Sequence, residues 1–243
     1  MEVRYAAVGL TLVACGRFGF DPIAASVDDA GHDARVDGES DGRTRMAPIF
    51  VQVVDNSVTD VSAAVTFDSP VVAGDLLVVA FGTSSVLLAS MTDTTGDTFT
   101  MLPVFMTPAI SPMYVGYAIA GTSAAETITA DATGSDFITL RAHEYASVDP
   151  TAPLDTYVMN AGSSSGVDAI EVDVATQTAN ELVFAYAVSQ SMTASAGTDF
   201  NARSIISMDV TEDQAEAAAG THLVTATNSG SPWGIQALAF LGK

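Results

Sequence analysis

The acidic groups best placed for metal chemistry lie in the short run Asp93-Thr94-Thr95-Gly96-Asp97, between two apolar segments. Calcium binds six to eight hard oxygens in flexible loops, and two aspartates this close together can supply part of such a set. The run lacks the full ligand series D-x-D-x-D-G. Glycine after two polar residues is also typical of a β-hairpin turn with a bulge. Asp93 and Asp97 are therefore candidate calcium ligands, and a plain hairpin turn is the alternative.

Aromatic side chains are the second group with chemical potential, because the C–H faces of sugars stack on flat rings. The candidates for such a ligand-binding surface are Trp233, Tyr114 and Tyr157, whereas Tyr117 and Tyr186 lie in patterns typical of core residues. Aromatic residues make up 7% of the chain, which is low for a strong polysaccharide binder. Packing in the core or at its rim is the alternative function of these rings.

One serine-hydrolase pattern, G-x-S-x-G, occurs at Gly162-Ser163-Ser164-Ser165-Gly166. The chemistry requires the serine on a tight turn between a strand and a helix. Here the pattern lies in a stretch rich in serine and glycine between two predicted strands, with no helix after it. The sequence therefore predicts a loop and no hydrolase at this position.

No acid–base pair emerges from the remaining titratable residues. His143 and Glu144 are neighbours on a predicted strand, so their side chains point to opposite faces. Glu144 is expected to be partly buried and hydrogen-bonded to the Pro150 loop or to Arg141, and His222 is expected at the surface. The sequence also lacks a Cys/His cluster for zinc, a phosphate-binding glycine loop and a dinucleotide fingerprint. We therefore predict that the protein is not an enzyme and has no catalytic residues.

The net charge excludes one class of partner. The chain has 29 acidic and 8 basic residues and a formal net charge of −21. From Ile49 onward its basic residues are Arg141, Arg203 and Lys243. Such a surface repels phosphate backbones, so we expect no nucleic acid as a partner.

The N-terminus carries a sorting pattern. Residues 5–14 form an apolar run that is too short to span a bilayer and matches the core of a signal peptide. The run ends in Leu12-Val13-Ala14-Cys15-Gly16, which resembles the lipobox of bacterial lipoproteins. The resemblance implies that residues 1–14 are a signal peptide and that Cys15 becomes the lipidated N-terminus. It also implies an exported chain that is anchored in a membrane at the cell surface. Because Gly16 is not aspartate, the outer membrane is favoured where there are two.

The next segment changes in composition. Residues 15–47 follow the signal peptide, and from Asp21 to Ala47 they are rich in Asp, Gly, Ala and Arg and nearly free of large apolar side chains. Such a segment cannot bury enough surface to fold alone. We expect an acidic, disordered tether, followed by one folded domain over residues 48–243.

The domain has the pattern of short β-strands separated by turn residues. In residues 170–174, aliphatic and acidic residues alternate, which is typical of a half-buried strand. Leu76 to Phe81 and Leu182 to Val188 are continuously apolar and predict central strands that are covered on both faces. The best helical candidate is residues 211–219, with a capping box at its start. The internal similarity described next favours a strand over residues 214–219 instead.

The two halves of the domain, residues 48–150 and 151–243, resemble each other. Four matches occur in the same order, at offsets of 106, 99, 96 and 95 residues: 72–81 with 178–187, 118–122 with 217–221, 129–135 with 225–231, and Leu140, Ala142 and Tyr145 with Ile235, Ala237 and Phe240. Two halves of about five strands each can pack as two sheets around one core. The predicted fold is thus an all-β, two-sheet, jelly-roll-like sandwich with an internal duplication.

The domain also resembles β-sandwich modules of secreted and phage-associated bacterial proteins. The resembling residues are the turn at residues 93–97, Glu144-Tyr145 with the following segment 149–155, and Trp233 in the last strand. The resemblance implies a fold and not an activity.

Three functions remain open for this domain. We favour a non-catalytic module of a cell-envelope lipoprotein that binds a ligand, with carbohydrate as the expected class. A structural or adhesive lipoprotein that contacts surface proteins is the alternative. A glycan-active hydrolase is disfavoured, because it requires two carboxylates about 5–10 Å apart in one cleft, and no such pair is evident.

Overall fold

The structure is a computed structural model that describes residues 45–164, 166–190, 195–228 and 232–243. The predicted signal peptide, Cys15 and nearly all of the predicted tether lie outside these residues. The described residues contain no helix, and therefore none that could cross a membrane. They form the strands β1 (Ile49–Thr66), β2 (Leu76–Thr83), β3 (Leu88–Asp93), β4 (Thr100–Met101), β5 (Phe105–Thr107), β6 (Ile110–Ile119), β7 (Thr127–Ala146), β8 (Leu154–Gly162), β9 (Gly166–Thr176), β10 (Glu181–Ser189), β11 (Ser195–Ala196), β12 (Asn201–Ile206), β13 (Asp209–Glu216), β14 (Gly220–Asn228) and β15 (Trp233–Leu241).

The strands build three antiparallel sheets. The largest has the order β1-β7-β2-β6-β4, with β3 also paired to β7 and β5 to β6. A second sheet has the order β12-β13-β10-β15-β8, and a third has the order β11-β14-β9. The predicted all-β sandwich is confirmed.

The first half contains its own hydrophobic core. Leu77, Val79 and Phe81 point from one face of β2 into a cluster with Val65 of β1 and Ile128 of β7. The pair β1–β7 reaches over this face because its register shifts between Asp60 and Ser62, and a bulge bends the strands that carry it. The second half repeats the arrangement, with β10 and β15 packed against β9 and β14.

A third cluster joins the two halves face to face. Leu76, Val78 and Val115 of the first half pack against Phe184 and Phe240 of the second. Every residue of β2 and of β10 is buried, so both strands are covered on both faces, as their continuous apolar sequences predict. The expectation of a single core is corrected here, because a strand buried on both faces separates two apolar layers.

The strand order supports the duplication. The path β1-β7-β2-β6-β4 of the first half corresponds to β8-β15-β10-β13-β12 of the second, and the pairing of β3 with β7 corresponds to that of β11 with β14. Where the first half has one long strand, β7, the second half has two shorter strands, β14 and β15.

One of the four sequence matches is out of register. Leu76 pairs with Ile119, whereas Leu182 pairs with Ala215, so the offset between β6 and β13 is 96 and not 99. The strand predicted over residues 214–219 accordingly ends at Glu216, and the three alanines after it form a bend. Repeated alanine and a following Gly-Thr created the false match.

Candidate functional site

Two of the three predicted ligand-binding rings are buried. Trp233 is 4% exposed, and its ring lies against Gly162, where an added Cβ would come within 2.4 Å of the ring. The indole Nε1 donates a hydrogen bond of 3.2 Å to Ser164. Tyr114 is 7% exposed, packs against Phe81 and accepts a hydrogen bond at its hydroxyl. The expectation of exposed sugar platforms is therefore corrected at Trp233 and Tyr114.

The other rings divide as follows. Tyr157 lies on the edge strand β8 and is 38% exposed, so it stays available to a ligand. Tyr186 is fully buried and Tyr117 packs against the central cluster, as the sequence predicts. An exposed ring that the sequence analysis missed is Phe137 of β7, which is 41% exposed.

Phe137 lines a cavity of about 100 Å³ to which both halves of the domain contribute. Its lining is rich in hydroxyl groups and contains one carboxylate, that of Asp209; the residues are Gly82, Thr83, Ser84, Ser111, Pro112, Phe137, Thr139, Tyr186, Val188, Ser189, Gln190, Ser207, Met208 and Asp209. Ligand sites commonly occur where two domains or repeats meet. This cavity is smaller than the pockets that bind drug-sized ligands, so it suits one small polar ring.

Hydrogen bonds on one side and a tight turn on the other hold the rim of the cavity in place. On one side, Asp136 accepts hydrogen bonds from the amides of Ser85 (2.6 Å) and Val86 (3.1 Å), which fixes the turn after β2 beside Phe137. On the other side, Ser207 and Met208 form the tight turn between β12 and β13 with φ angles of 54° and 76°. Consecutive non-glycine residues in the left-handed region are costly and often mark a functional surface.

A buried ion pair lies at the wall of the cavity. Arg141 is fully buried, and its guanidinium lies 3.5 Å from the carboxylate of Asp209 and 5.1 Å from the centre of the Tyr186 ring. It donates further hydrogen bonds to Thr139 and to the carbonyl oxygen of Ile206. Burial raises the pKa of Asp209 to about 6, although Arg141 and Tyr186 act in the opposite direction.

The ion pair is one of three polar contacts that β7 makes with β13 across the two halves. His143 Nε2 lies 2.8 Å from the hydroxyl of Thr211, and the hydroxyl of Tyr145 donates a 2.7 Å hydrogen bond to Asp213. The three contacts follow one another at every second residue along β7 and β13, and each requires its own partner on the other strand. They therefore fix the register of one half on the other.

His143 and Glu144 point to opposite faces, as the sequence predicts. Burial lowers the pKa of His143 to about 3, so the ring is neutral. Glu144 is fully buried and accepts hydrogen bonds from Gln52 (2.6 Å) and from the amide of Val72 (2.9 Å). The prediction that Glu144 bonds to the Pro150 loop or to Arg141 is therefore wrong. Arg141 extends from the same strand toward β13, and Gln52 and Val72 occupy the carboxylate of Glu144.

A hydrogen-bonded chain joins Thr176, His222 and Glu216. His222 Nδ1 lies 3.0 Å from the Glu216 carboxylate, and Nε2 lies 2.9 Å from the hydroxyl of Thr176. This order matches nucleophile, base and acid in hydrolases. The hydroxyl, however, also contacts the backbone of Gly220 inside the β9–β14 pairing, and Thr176 is only 6% exposed. We interpret the chain as a structural tie, and the prediction of a surface histidine is corrected to a partly buried one.

The G-x-S-x-G segment is a connection between β8 and β9, as predicted. Ser164, the serine at the nucleophile position of the pattern, donates a hydrogen bond to the carbonyl oxygen of Ala169 and accepts one from Trp233. Its neighbour Ser165 lies outside the described residues. Strands lie on both sides, so the strand-to-helix turn of a hydrolase is not formed here.

The predicted calcium ligands lie at the end of β3. Asp93 Oδ1 accepts hydrogen bonds from the amides of Thr95 (3.1 Å), Gly96 and Asp97 (3.0 Å), while its Oδ2 is buried and has no partner among the described residues other than a neighbouring carboxylate. Asp97 accepts hydrogen bonds from the Gly121 amide and the Thr95 hydroxyl. The turn is not a hairpin, because β3 pairs with β7 and β4 pairs with β6.

A third carboxylate completes this group. Glu126 is fully buried, and apart from the neighbouring Asp93 carboxylate its oxygens have no hydrogen-bond partner among the described residues. One ligand oxygen from each of Asp93, Asp97 and Glu126 lies within 4.8 Å of the other two. Burial first, and then the charges of Asp93 and Asp97, raises the pKa of Glu126 to about 8. The sequence contained a signal for this burial, because in an extended chain every second residue points to the same side, and Ile128 and Ala130 both point into the core.

Comparison of the chain with protein families, with curated proteins and with solved structures found no match in any of the three. The function is therefore inferred from the side chains themselves.

Proposed function

We propose that the chain is a cell-envelope lipoprotein whose β-sandwich binds a neutral saccharide, without catalysis, in the cavity at the junction of its two halves. The observation that carries this function is the cavity itself, which combines an exposed ring, Phe137, with a hydroxyl-rich lining. A sugar needs both, because its C–H face stacks on a ring and its hydroxyls exchange hydrogen bonds with polar side chains.

The charges favour a neutral ligand. The chain carries a formal net charge of −21, which repels anionic ligands, and Arg141, the one described arginine beside the cavity, is already paired with Asp209. A neutral saccharide brings no charge into this wall. Its hydroxyls can both donate to the Asp209 carboxylate and accept from neighbouring hydroxyls.

The lining also favours binding over hydrolysis. Glycoside hydrolases require two carboxylates that flank the scissile bond about 5–10 Å apart. The residues that line the cavity include only one, Asp209, which serves the buried ion pair. The strained turn at Ser207 and Met208 fits a preformed binding rim, since a relaxed turn would place glycine or asparagine there.

Removing the ring of Phe137 is expected to weaken saccharide binding strongly. The chain would be tested for retention on a panel of insoluble neutral polysaccharides and peptidoglycan, with Phe137→Ala beside it. We expect retention of the unchanged protein and a loss of about tenfold or more in Phe137→Ala, as for a central aromatic contact. Tyr157→Ala is the matched control, because Tyr157 is similarly exposed but lies on the edge strand β8.

Three results would overturn saccharide binding in the cavity. Equal retention of Phe137→Ala and the unchanged protein would place any binding elsewhere, and a loss confined to Tyr157→Ala would move it to the β8 edge. No retention on any matrix would favour the alternative, a structural or adhesive lipoprotein that contacts surface proteins.

Lipidation at Cys15 is tested separately. In a bacterial host supplied with labelled palmitate, the full chain is expected to incorporate label and to fractionate with membranes. Cys15→Ser removes the acceptor thiol, so it should take up no label and accumulate as an unprocessed precursor. Equal labelling of both proteins would contradict the lipoprotein assignment, whatever the outcome of the saccharide experiments.

A further inference from the structure

We infer that Glu126, Asp93 and Asp97 form a calcium site that fastens the turn after β3 to the start of β7. This site goes beyond the proposed saccharide binding and lies on different residues. Three structural observations support it: the buried glutamate, the spacing of the oxygens and the corresponding position in the second half.

The first observation is the state of Glu126. A fully buried carboxylate ordinarily has hydrogen bonds or a counter-charge, because burial without either is costly. Glu126 is 0% exposed, its oxygens have no hydrogen-bond partner among the described residues other than the Asp93 carboxylate, and no described basic side chain forms an ion pair with it. Its backbone is held in place, since its carbonyl oxygen accepts from the amide of Phe67 at 3.0 Å. The side chain is therefore directed at the two aspartates by the strand that follows it.

The second observation is the spacing of the oxygens. Calcium–oxygen distances are about 2.3–2.6 Å, so two oxygens on one ion lie at most about 5 Å apart. One oxygen from each of the three carboxylates lies within 4.8 Å of the others, which meets this limit. Asp93 Oδ2 is also buried and has no partner outside this group of carboxylates, so it is available to an ion while Oδ1 keeps the turn in shape. Water would supply the remaining ligands of a calcium ion.

The third observation comes from the duplication. The offset of 96 that aligns residues 129–135 with 225–231 places His222 at the position of Glu126. In the second half this position holds an imidazole ring whose Nδ1 lies 3.0 Å from the Glu216 carboxylate. In the first half the position holds an acid beside two further acids. A bound cation would connect the carboxylates there, at the position where the second half has an imidazole ring in contact with a carboxylate.

The local backbone shows what the ion would hold. The amide of Thr94 donates to the carbonyl oxygen of Thr127 at 3.1 Å, and the amide of Thr127 donates to the hydroxyl of Thr94 at 3.0 Å. These two hydrogen bonds already connect the turn with β7, directly beside Glu126. A calcium ion would add a third and stronger connection, so its effect should appear as a gain in thermal stability.

Calcium titration of the full chain, freed of metal with chelator, tests the site. Isothermal titration with calcium chloride is expected to show one site per chain, and saturating calcium is expected to raise Tm by about 5 °C or more. Glu126→Gln keeps the size of the side chain but removes its charge. It should bind calcium at least about tenfold more weakly and lose most of the rise in Tm. Glu171→Gln, on the exposed face of β9, is the matched control and should respond as the unchanged protein does.

The result that overturns the site is the absence of both binding heat and a Tm change in the unchanged protein. A calcium response of Glu126→Gln equal to that of the unchanged protein would overturn it as well. If Glu126→Gln does not fold in chelator, Asp97→Asn replaces it with the same expectation. Phe137→Ala should keep the full calcium response, so a failure of saccharide binding and a failure of calcium binding are read separately.

Discussion

Arg141→Met is expected to lower the free energy of unfolding by about 3–5 kcal/mol at pH 8, because it leaves the Asp209 carboxylate buried without its counter-charge. Arg141 is fully buried, and its hydrogen bonds to Thr139 and Ile206 would be lost together with the ion pair. Methionine fills most of the space of the arginine stem. The loss therefore reports on charge and hydrogen bonding more than on packing.

The loss should depend on pH. The pKa of Asp209 in the folded protein is about 6, above the unfolded value of 3.8, because burial outweighs the attraction of Arg141. A carboxyl group with a raised folded pKa contributes stability that is full below about pH 3.8 and is lost as pH rises through the folded value. Without Arg141 the folded pKa rises further. Arg141→Met should therefore cost clearly less at pH 5, where Asp209 can take up a proton, than at pH 8.

Urea unfolding at pH 5 and pH 8 measures both effects, and the double variant Arg141→Met with Asp209→Leu is the control. Removing both charges should recover much of the lost stability at pH 8, because no unpaired charge stays behind. A loss that is the same at both pH values, or a double variant no more stable than the single one, would show that the pair is not energetically coupled.

Phe184→Ala is expected to lower the free energy of unfolding by about 3–5 kcal/mol and to loosen both halves together. Phe184 lies in the cluster between the halves, with its ring centre 5.0 Å from that of His143 and 6.5 Å from that of Tyr145. A cavity at this place removes contacts from β7 of the first half and from β10 of the second. Since neither sheet can collapse into it without breaking its polar contacts, little of the loss is recovered.

The shared cluster also predicts one cooperative transition. Trp233 is the sole tryptophan and reports on the second half by fluorescence, whereas far-UV circular dichroism reports on the strands of both halves. The two signals should give coincident urea transitions in the unchanged protein and in Phe184→Ala. Phe137→Ala, at an exposed ring, is the control and should change stability by no more than about 1 kcal/mol. Separate transitions of the two signals would show that the halves are stable independently.

Apolar runs and the alternation of apolar and polar residues predicted the positions of these strands correctly. Leu76 to Phe81 and Leu182 to Val188 lie at the centre of their sheets because a run without polar residues must be covered on both faces. Residues 170–174 expose Glu171 and Asp173 and bury Ile170 and Val174, as their alternation requires. Such patterns are local, and each strand contains the whole signal.

The internal matches succeeded where they included residues that pack in the core and failed where composition alone produced them. Tyr145 and Phe240 occupy equivalent places, paired with Leu76 and Leu182. The alanine-rich match near residue 218 was three residues out of register, because small side chains do not distinguish one register from the next.

The sequence by itself determined the all-β class, the central strands, the aspartates of the turn after β3 and the acidic charge of the protein. Tertiary structure alone decided which side chains meet. Glu126 reaches Asp93 because β3 pairs with the start of β7, and Phe137 shares a cavity with Met208 because the two halves pack face to face. Trp233 is likewise buried because its ring packs against Gly162 on the neighbouring strand, a contact that the sequence does not indicate. The physical reason is the same in each case: strand pairing and sheet packing depend on partners far apart in the chain, and no local pattern encodes the partner.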